Sequence, residues 1–371
     1  MSHSGYEGWI AVYENVGGSL ANPQALQVNA ENLDFGYELR KRNFQVSDGR
    51  TTGTFAQVPI STKPKGTLNF QLHTDDCLKF MYSHFQNGSK SGIIGTRSYS
   101  FYPNRGVSRY RSNDRESYNF VPYTISVLKK LYDSGTNAFF FKNGITETLN
   151  LGLSTGQETA LEASIRFLDV DYGTAVESAP EGSYSPHTAF ESWSGTVKLD
   201  GQTIDLFSLS LSSTNKLQEN LRLGASNPVG YRFMDYQLTG QMAFDLPSSS
   251  LDQVGSLFGT KNFSITATLF NSANDCIKLS LPLCRRLPFN YQQTGRTDSL
   301  KGAIPFEAFW SDSSPTIFEV DTSYEFTLVA TIATILDANY GPRTIGTTWF
   351  IADAQYGTRS LGTYIFYDRD V

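Results

Sequence analysis

Cysteine, methionine, histidine and charge are all scarce in this chain of 371 residues. It has 3 Cys, 4 Met and 4 His, and charged residues make up 18%, below the usual quarter of a soluble protein. Cys77, Cys276 and Cys284 form an odd set without the paired knuckles of a structural zinc site. All three read as reduced thiols, in keeping with synthesis in a host cytoplasm. No run approaches the length of an apolar membrane-spanning helix, so no membrane partner is expected. The opening MSHSGYEGW has no basic stretch ahead of an apolar core, so no signal peptide is expected there. A net charge of −6 disfavours gripping DNA through its phosphates.

What the chain has in quantity is hydroxyl and aromatic side chains. Ser and Thr together number 74, Phe 26 and Tyr 20, with Gly 31 and Pro 14 to supply turns. Such side chains suit a pleated, half-buried surface, so the expected class is mostly β. Strand patterns occur at 67–72, 138–153, 163–170, 195–201, 204–211, 263–270 and 318–329. Asn143-Gly144 and Asp200-Gly201 each predict a tight hairpin turn, because both turn positions need positive φ. One clear helical period covers Thr74–Phe85, where Leu78, Met81, Tyr82 and Phe85 share a face. Thr74 is its expected N-cap, and Asp75 and Asp76 suit the positive end of the helix dipole.

The chain also repeats itself. Gly66-Thr-Leu-Asn-Phe-Gln-Leu72 aligns with Gly240-Gln-Met-Ala-Phe-Asp-Leu246, pairing Gly66 with Gly240, Phe70 with Phe244 and Leu72 with Leu246. A helix follows the first strand, and Leu251, Val254 and Phe258 predict one after the second. Long polar loops, Arg40–Lys65 and Arg222–Thr239, are expected before each strand. Residues 142–153 and 199–211 form a second similar pair, each a strand, a turn and a longer strand. A Pro/Ser/Gly-rich stretch near 177–187 separates the halves. The expected division is 1–178, 188–312 and a C-terminal β extension, 313–371, ending in strands at 347–352 and 362–367.

Candidate chemistry is thin. Gly152-Leu-Ser154-Thr-Gly156 matches a nucleophile elbow, which needs a strand–turn–helix setting and a later histidine; only His187 follows, in the Pro/Ser stretch. The context favours a plain turn. Asp169 and Asp171 could seed a calcium loop but lack further oxygen ligands at loop spacing. His73 and His84 flank the helix without metal-ligand spacing. No Walker loop, dinucleotide fingerprint or H-E-x-x-H is present. No catalytic residue, metal or cofactor is therefore expected. Arg97, Arg105, Arg109, Arg111 and Arg115 interleave with Tyr99, Phe101, Tyr102 and Tyr110. That composition serves single-strand binding or a protein interface, and the acidic whole favours the interface. Arg40, Lys41 and Arg42 read the same way.

A long polar loop, the Gly-led strand Lys65–Leu72, the helix start Thr74-Asp-Asp-Cys-Leu78 and an Asn-Gly turn together resemble bacteriophage tail tube proteins. The doubled pattern is similar to the two-domain class of that family, over roughly residues 7–310. Thr196-Val-Lys-Leu-Asp-Gly201, Phe207-Ser-Leu-Ser-Leu211 and Leu238-Thr-Gly240 carry the likeness in the second half. The resemblance implies two tandem β-sandwich or barrel domains, each with a short flanking helix, and no enzyme activity. It implies a virion protein whose rings stack into the tail tube, with six such domains per ring and hence a homotrimer of pseudo-sixfold symmetry. The implied partners are further copies of itself, the tape measure, tail terminator and baseplate proteins, and a sheath in a contractile tail. Genomic DNA would pass through the lumen without specific binding, and the long loop would reach a neighbouring ring. A baseplate hub or distal tail protein of the same fold, and a carbohydrate-binding β-sandwich, remain as alternatives.

Overall fold

The computed structural model describes residues 9–16, 19–42, 56–86, 88–93, 96–103, 123–130, 138–173, 189–191, 195–220, 223, 227–246, 262–288, 300–309 and 317–322, and the strands at 334–337, 341–344, 349–353 and 357–361. The first half runs β1 (Trp9–Val16), β2 (Ser19–Leu26), β3 (Val28–Asp34), β4 (Tyr37–Arg42), β5 (Ala56–Thr62), β6 (Lys65–Gln71) and α1 (Thr74–Phe85). It continues with β7 (Gly88–Ile93), β8 (Thr96–Phe101), β9 (Thr124–Lys130), β10 (Ala138–Ser154), β11 (Ala160–Arg166) and β12 (Asp169–Gly173). The second half has β13 (Thr196–Leu199), β14 (Gln202–Thr203), β15 (Ser208–Asn220), β16 (Gly230–Leu246), β17 (Phe263–Phe270), β18 (Cys276–Arg286), β19 (Leu300–Ala308) and β20 (Ile317–Thr322). Two separate hairpins follow, β21 (Thr334–Asp337) with β22 (Gly341–Thr344) and β23 (Trp349–Asp353) with β24 (Gly357–Leu361). The fold is mostly β, as its composition requires, and all the pairings are antiparallel.

Seven strand pairings of the first half recur in the second. β1 pairs with β2 and β9, β9 with β10, and β10 with β11 and β12. β13 pairs in the same way with β14 and β17, β17 with β18, and β18 with β19 and β20. β6 lies between β3 and β11, as β16 lies between β15 and β19. Gly66 sits opposite Leu33 and Ile165, and Gly240 opposite Leu211 and Phe306, so the aligned glycines hold one topological place. At each a neighbour occupies the space of a Cβ: a ring and the Ser210 carbonyl at Gly240, but chiefly the movable end of a leucine at Gly66. The added Cβ would lie 2.5 Å from Leu33 Cδ2 at Gly66 and 2.4 Å from the Phe306 ring at Gly240.

The similarity of 142–153 to 199–211 does not carry over. β10 corresponds to β18, and the 199–203 turn corresponds to the β1–β2 hairpin. Asp200-Gly201 does turn a hairpin, with φ of 48° and 82°. Asn143-Gly144 does not. There β10 continues through a left-handed Asn143 (φ 53°) and passes from one sheet to another. Residues 138–142 pair with β9 and β12, and residues 145–152 with β11. Positive φ produces a kink here because the strand on either side already has partners.

The first half is thus a pair of sheets sharing one kinked strand, β10, and β18 holds the same topological place in the second half. Leu68 and Phe70 of β6, Leu72 just beyond it, Leu161 and Ile165 of β11, and Leu209, Leu211, Met242, Ile304 and Phe306 of the second half are buried in one continuous cluster. The alternation of apolar and polar residues sets which face is buried.

Helix α1 forms where its periodicity predicts, but it is buried on all sides. His73, not Thr74, is the N-cap, and its side chain makes no cap hydrogen bond. The Thr74 hydroxyl instead donates to Asp275 Oδ2 at 2.8 Å, tying the helix to the second half. The expected long loop before β6 is strand at both ends, since β4 pairs with β5. Residues 43–55 lie outside the described residues, as does the expected helix around Leu251, Val254 and Phe258. The loop expected at 222–239 is largely the first part of β16. β23 (Trp349–Asp353) covers most of the strand expected at 347–352, β24 (Gly357–Leu361) follows it, and the strand expected at 362–367 lies outside the described residues.

Candidate functional site

The two halves join edge to edge through β10 and β15, with Thr148 opposite Thr214, Leu151 opposite Leu211 and Ser154 opposite Ser208. This join makes one eight-strand ladder in the order β3, β6, β11, β10, β15, β16, β19, β18. The ladder does not close on itself among the described residues. Each half supplies four consecutive strands. A second connection runs through β8, which pairs with β20.

One face of the ladder is the buried core, and the other is a continuous polar surface. Across it run rows such as Thr67, Ser164, Thr148, Thr214 and then Asn69, Glu162, Asn150, Ser212, Thr239, Glu307. Neighbours within the rows bond to each other: Thr67 to Ser164 at 3.2 Å, Thr148 to Thr214 at 3.4 Å, and Asn150 Nδ2 to Glu162 Oε1 at 2.8 Å. Hydroxyl and amide side chains dominate, with β15 contributing a serine at 208, 210 and 212.

Cations along one border of this face are neutralised. Arg166 forms a two-pronged contact with Glu147 at 2.7 Å and lies 3.7 Å from Glu219. The hydrogen bond to Glu147 raises the guanidinium pKa further, against a smaller opposing effect of burial. Lys63 lies 3.1 Å from Glu219, and Lys65 lies 3.8 Å from Asp34. Glu162, by contrast, meets only an amide among its described partners. Hydroxyl and amide rows make up much of this surface, and its charged positions carry both signs: Lys216 and Arg285 are exposed on the same face as Glu162 and Glu307.

The residues singled out for chemistry are dispersed. Ser154 ends β10, and the chain turns through Thr155 and Gly156 into β11, so no helix follows it. His187 lies outside the described residues. Asp169 accepts from the Val170 amide and from Asn227, while Asp171 pairs with Lys142. Among the described residues no group of three His, Cys, Asp or Glu is placed to hold a metal.

His84 is fully buried between the halves, 2.7 Å from Ser213 Oγ and 3.1 Å from the Thr146 carbonyl. Burial lowers its pKa to about 4, against a smaller upward effect of the Thr146 bond. All three thiols are buried and free, and burial raises each pKa, that of Cys284 to about 12. None is an activated nucleophile.

The arginine–aromatic segment is not an open platform where it is described. Tyr99 and Phe101 are fully buried in β8, against α1 and the second half. Arg105, Arg109, Arg111, Arg115 and Tyr110 lie outside the described residues, and the side chains of Arg40, Lys41 and Arg42 are not described. The polar rows were within reach of the sequence. Ser208-Leu-Ser-Leu-Ser212 alternates strictly, but only the pairing of β15 with β10 reveals that its serines extend a surface begun in the first half.

No curated protein matches the chain at a significant level. A family model described as phage tail tube protein matches residues 38–308, most of the chain and nearly all of the ladder. The chain belongs to the phage tail tube protein family.

Proposed function

We propose that this protein polymerises into stacked rings that form the tube of a phage tail, through which DNA leaves the particle. The observation that carries the reading is the repetition of seven strand pairings within a chain of this family. If six four-stranded units line a ring and each chain supplies two, three chains complete it, with pseudo-sixfold symmetry. In this reading 1–178 is one repeating unit and 188–312 the body of the other, and β20, the first strand of 313–371, completes the second unit's sheet as the counterpart of β12. Head-to-tail contacts close such a ring, so the two units are free to diverge on their surfaces.

The polar face lines the lumen in this reading. DNA moves past rows of hydroxyls and amides, and the cations Arg166 and Lys63 at its border are paired with carboxylates. The chain carries no catalytic role and takes no cofactor. Its partners are other copies in the ring and in the rings above and below, then the tape measure, terminator and baseplate proteins at the tube's ends, and a sheath if the tail contracts. Native mass spectrometry of rings, with rotational averages of end-on views, tests the stoichiometry. Three chains are expected. Six chains, with the second unit hanging outside the tube, would refute the trimer.

A further inference from the structure

The outer sheets of the two halves end differently. In the second half β20 pairs with β18 on one side and with β8 on the other, so the β7–β8 hairpin of the first half extends that sheet. In the first half β12 pairs with β10, and no described strand lies on its outer side. The kinks fix the correspondence. Phe141 faces Val127 and Gly144 faces Ile125, just as Leu281 faces Ile265 and Cys284 faces Phe263. By the same alignment Phe139 opposite Tyr172 matches Leu279 opposite Phe318. Phe318 faces Phe101 of β8 and is 5% exposed, whereas Tyr172 is 62% exposed. The same aromatic position is covered by a strand in one half and open in the other.

The second half has no room for a hairpin of its own at the matching place. Residues 72–123 separate β6 from β9, enough for α1 and β7–β8, but only 247–262 separate β16 from β17. The chain supplies hairpins elsewhere: β21–β22 and β23–β24 follow β20, tethered to the second half. They are copies of each other. Asp337-Ala-Asn-Tyr-Gly-Pro-Arg-Thr-Ile345 aligns with Asp353-Ala-Gln-Tyr-Gly-Thr-Arg-Ser-Leu361, and Asp337 faces Gly341 as Asp353 faces Gly357. The second strand of the β7–β8 hairpin begins within the same run, Gly95-Thr-Arg-Ser-Tyr99 beside Gly357-Thr-Arg-Ser-Leu361. In β8 that run meets β20. Arg97 lies opposite Thr322 and Ser98 opposite Asp321, and the Ser98 hydroxyl donates to Glu319 Oε1 at 2.8 Å.

We propose that the outer edge of β12, Asp169–Gly173, receives the β23–β24 hairpin of a second copy of this chain, in the manner that β20 receives β7–β8. The inference rests on the ring reading above and assigns a contact on the outer sheet, away from the lumen. β24 fits the place better than β22, whose Pro342 cannot donate to a sheet. A second copy is the occupant because each hairpin serves the unit that follows its own. β7–β8 leaves the first unit for the second. β23–β24 leaves the second unit, whose next neighbour in a ring is another chain's first unit. Two-stranded hairpins are marginal alone in water, and an exposed sheet edge is a liability, so joining them relieves both.

Photo-cross-linking of the full chain tests this docking. Tyr172→benzoylphenylalanine exchanges one exposed aromatic side chain for another, so the fold should be kept. Irradiated assemblies should yield covalently linked pairs of chains, with the linked peptide drawn from residues 346–371. Ser360→Pro in β24 should cut that product by more than about tenfold, because proline removes a donor and disrupts the strand. Thr344→Pro in β22 should leave it unchanged. A link within one chain, a peptide from outside the extension, or equal loss from both prolines overturns the assignment. Rings that form without linked chains overturn it too, and leave the tube reading standing. Linked chains in a protein that forms no rings by native mass spectrometry keep the docking edge and remove the ring. Neither rings nor linked chains removes both.

Discussion

Leu151 and Leu211 face each other across the β10–β15 ladder, one from each half, and both are buried in the core that the halves share. The two units are consequently not independent beads. Thr74 bonds to Asp275, and His84 to Ser213, across the same boundary. Unfolding of residues 9–322 should be a single transition. Leu211→Ala should cost about 2–5 kcal/mol, the usual range for truncating a buried leucine. Thermal melting followed at two wavelengths checks this: two separated transitions would show that the join is weak.

Phe70 is fully buried and lies 4.8 Å, centroid to centroid, from Phe80 of α1. It holds the inner ladder against the helix. Phe70→Ala should lose about 3–5 kcal/mol, much of the margin of an ordinary domain. Denaturant titration is the measurement, and an effect below about 1 kcal/mol would mean that the helix does not depend on this contact.

The aligned glycines make a sharper test of the repeat. Gly240→Ala should destabilise by about 1–3 kcal/mol, because its Cβ meets the Phe306 ring and the Ser210 carbonyl. Trimming the ring with Phe306→Leu should recover part of that loss in the double variant. Gly152→Ala, on the polar face with nothing within 4 Å of the added atom, should be close to neutral. Equal effects at Gly240 and Gly152 would remove the packing explanation.

His84 gives the fold a pH dependence of predictable sign. Its pKa falls from 6.5 to about 4 on folding, so the unfolded chain binds the extra proton. Stability from this group is complete above pH 6.5 and is lost as pH falls toward 4, by roughly 3 kcal/mol at most. Asp76 acts in the opposite direction, since burial and then Asp75 raise its pKa. The two are separated by comparing the wild type with His84→Gln. The variant should be less stable at pH 7.5, and the gap should narrow between pH 6.5 and 4. A constant gap would show that His84 titrates normally.

Local patterns announced most of the strands, and the reason is visible in β6, β11 and β15. Each buries alternate residues, so a period of two was written directly into the sequence. The single described helix was equally clear from Leu78, Met81 and Phe85. What could not be read was which partners the strands choose. Asn143-Gly144 and Asp200-Gly201 carry the same local signal, yet one kinks a strand and the other turns a hairpin. The difference lies in β9, β11 and β12, which hold both sides of the kink. The burial of Tyr99 and Phe101 likewise depends on α1 and β20, far away in sequence. The polar face needed the β10–β15 join before its rows could be seen as one surface.

That face supplies a last prediction, about passage of DNA. Glu162 projects from β11 beside Asn150, and Glu307 from β19, 3.3 Å from the Gln237 amide. Both carboxylates lie on half-buried, non-core positions, so replacing them leaves the hydrophobic face untouched. Glu162→Lys with Glu307→Lys changes each chain by four charge units and gives the wall cations without a built-in partner. In assembled tubes three chains would then present six lysines per ring. Short duplex DNA mixed with wild-type tubes should co-sediment weakly at any salt concentration. The double variant should retain it at low salt and release it steeply as salt rises, because each phosphate contact returns counterions to the strand. Glu162→Gln with Glu307→Gln should fall between the two. The contrast separates charge from packing, since all three tubes share the same core. DNA retention identical in the wild type and the lysine variant would place these residues away from the lumen.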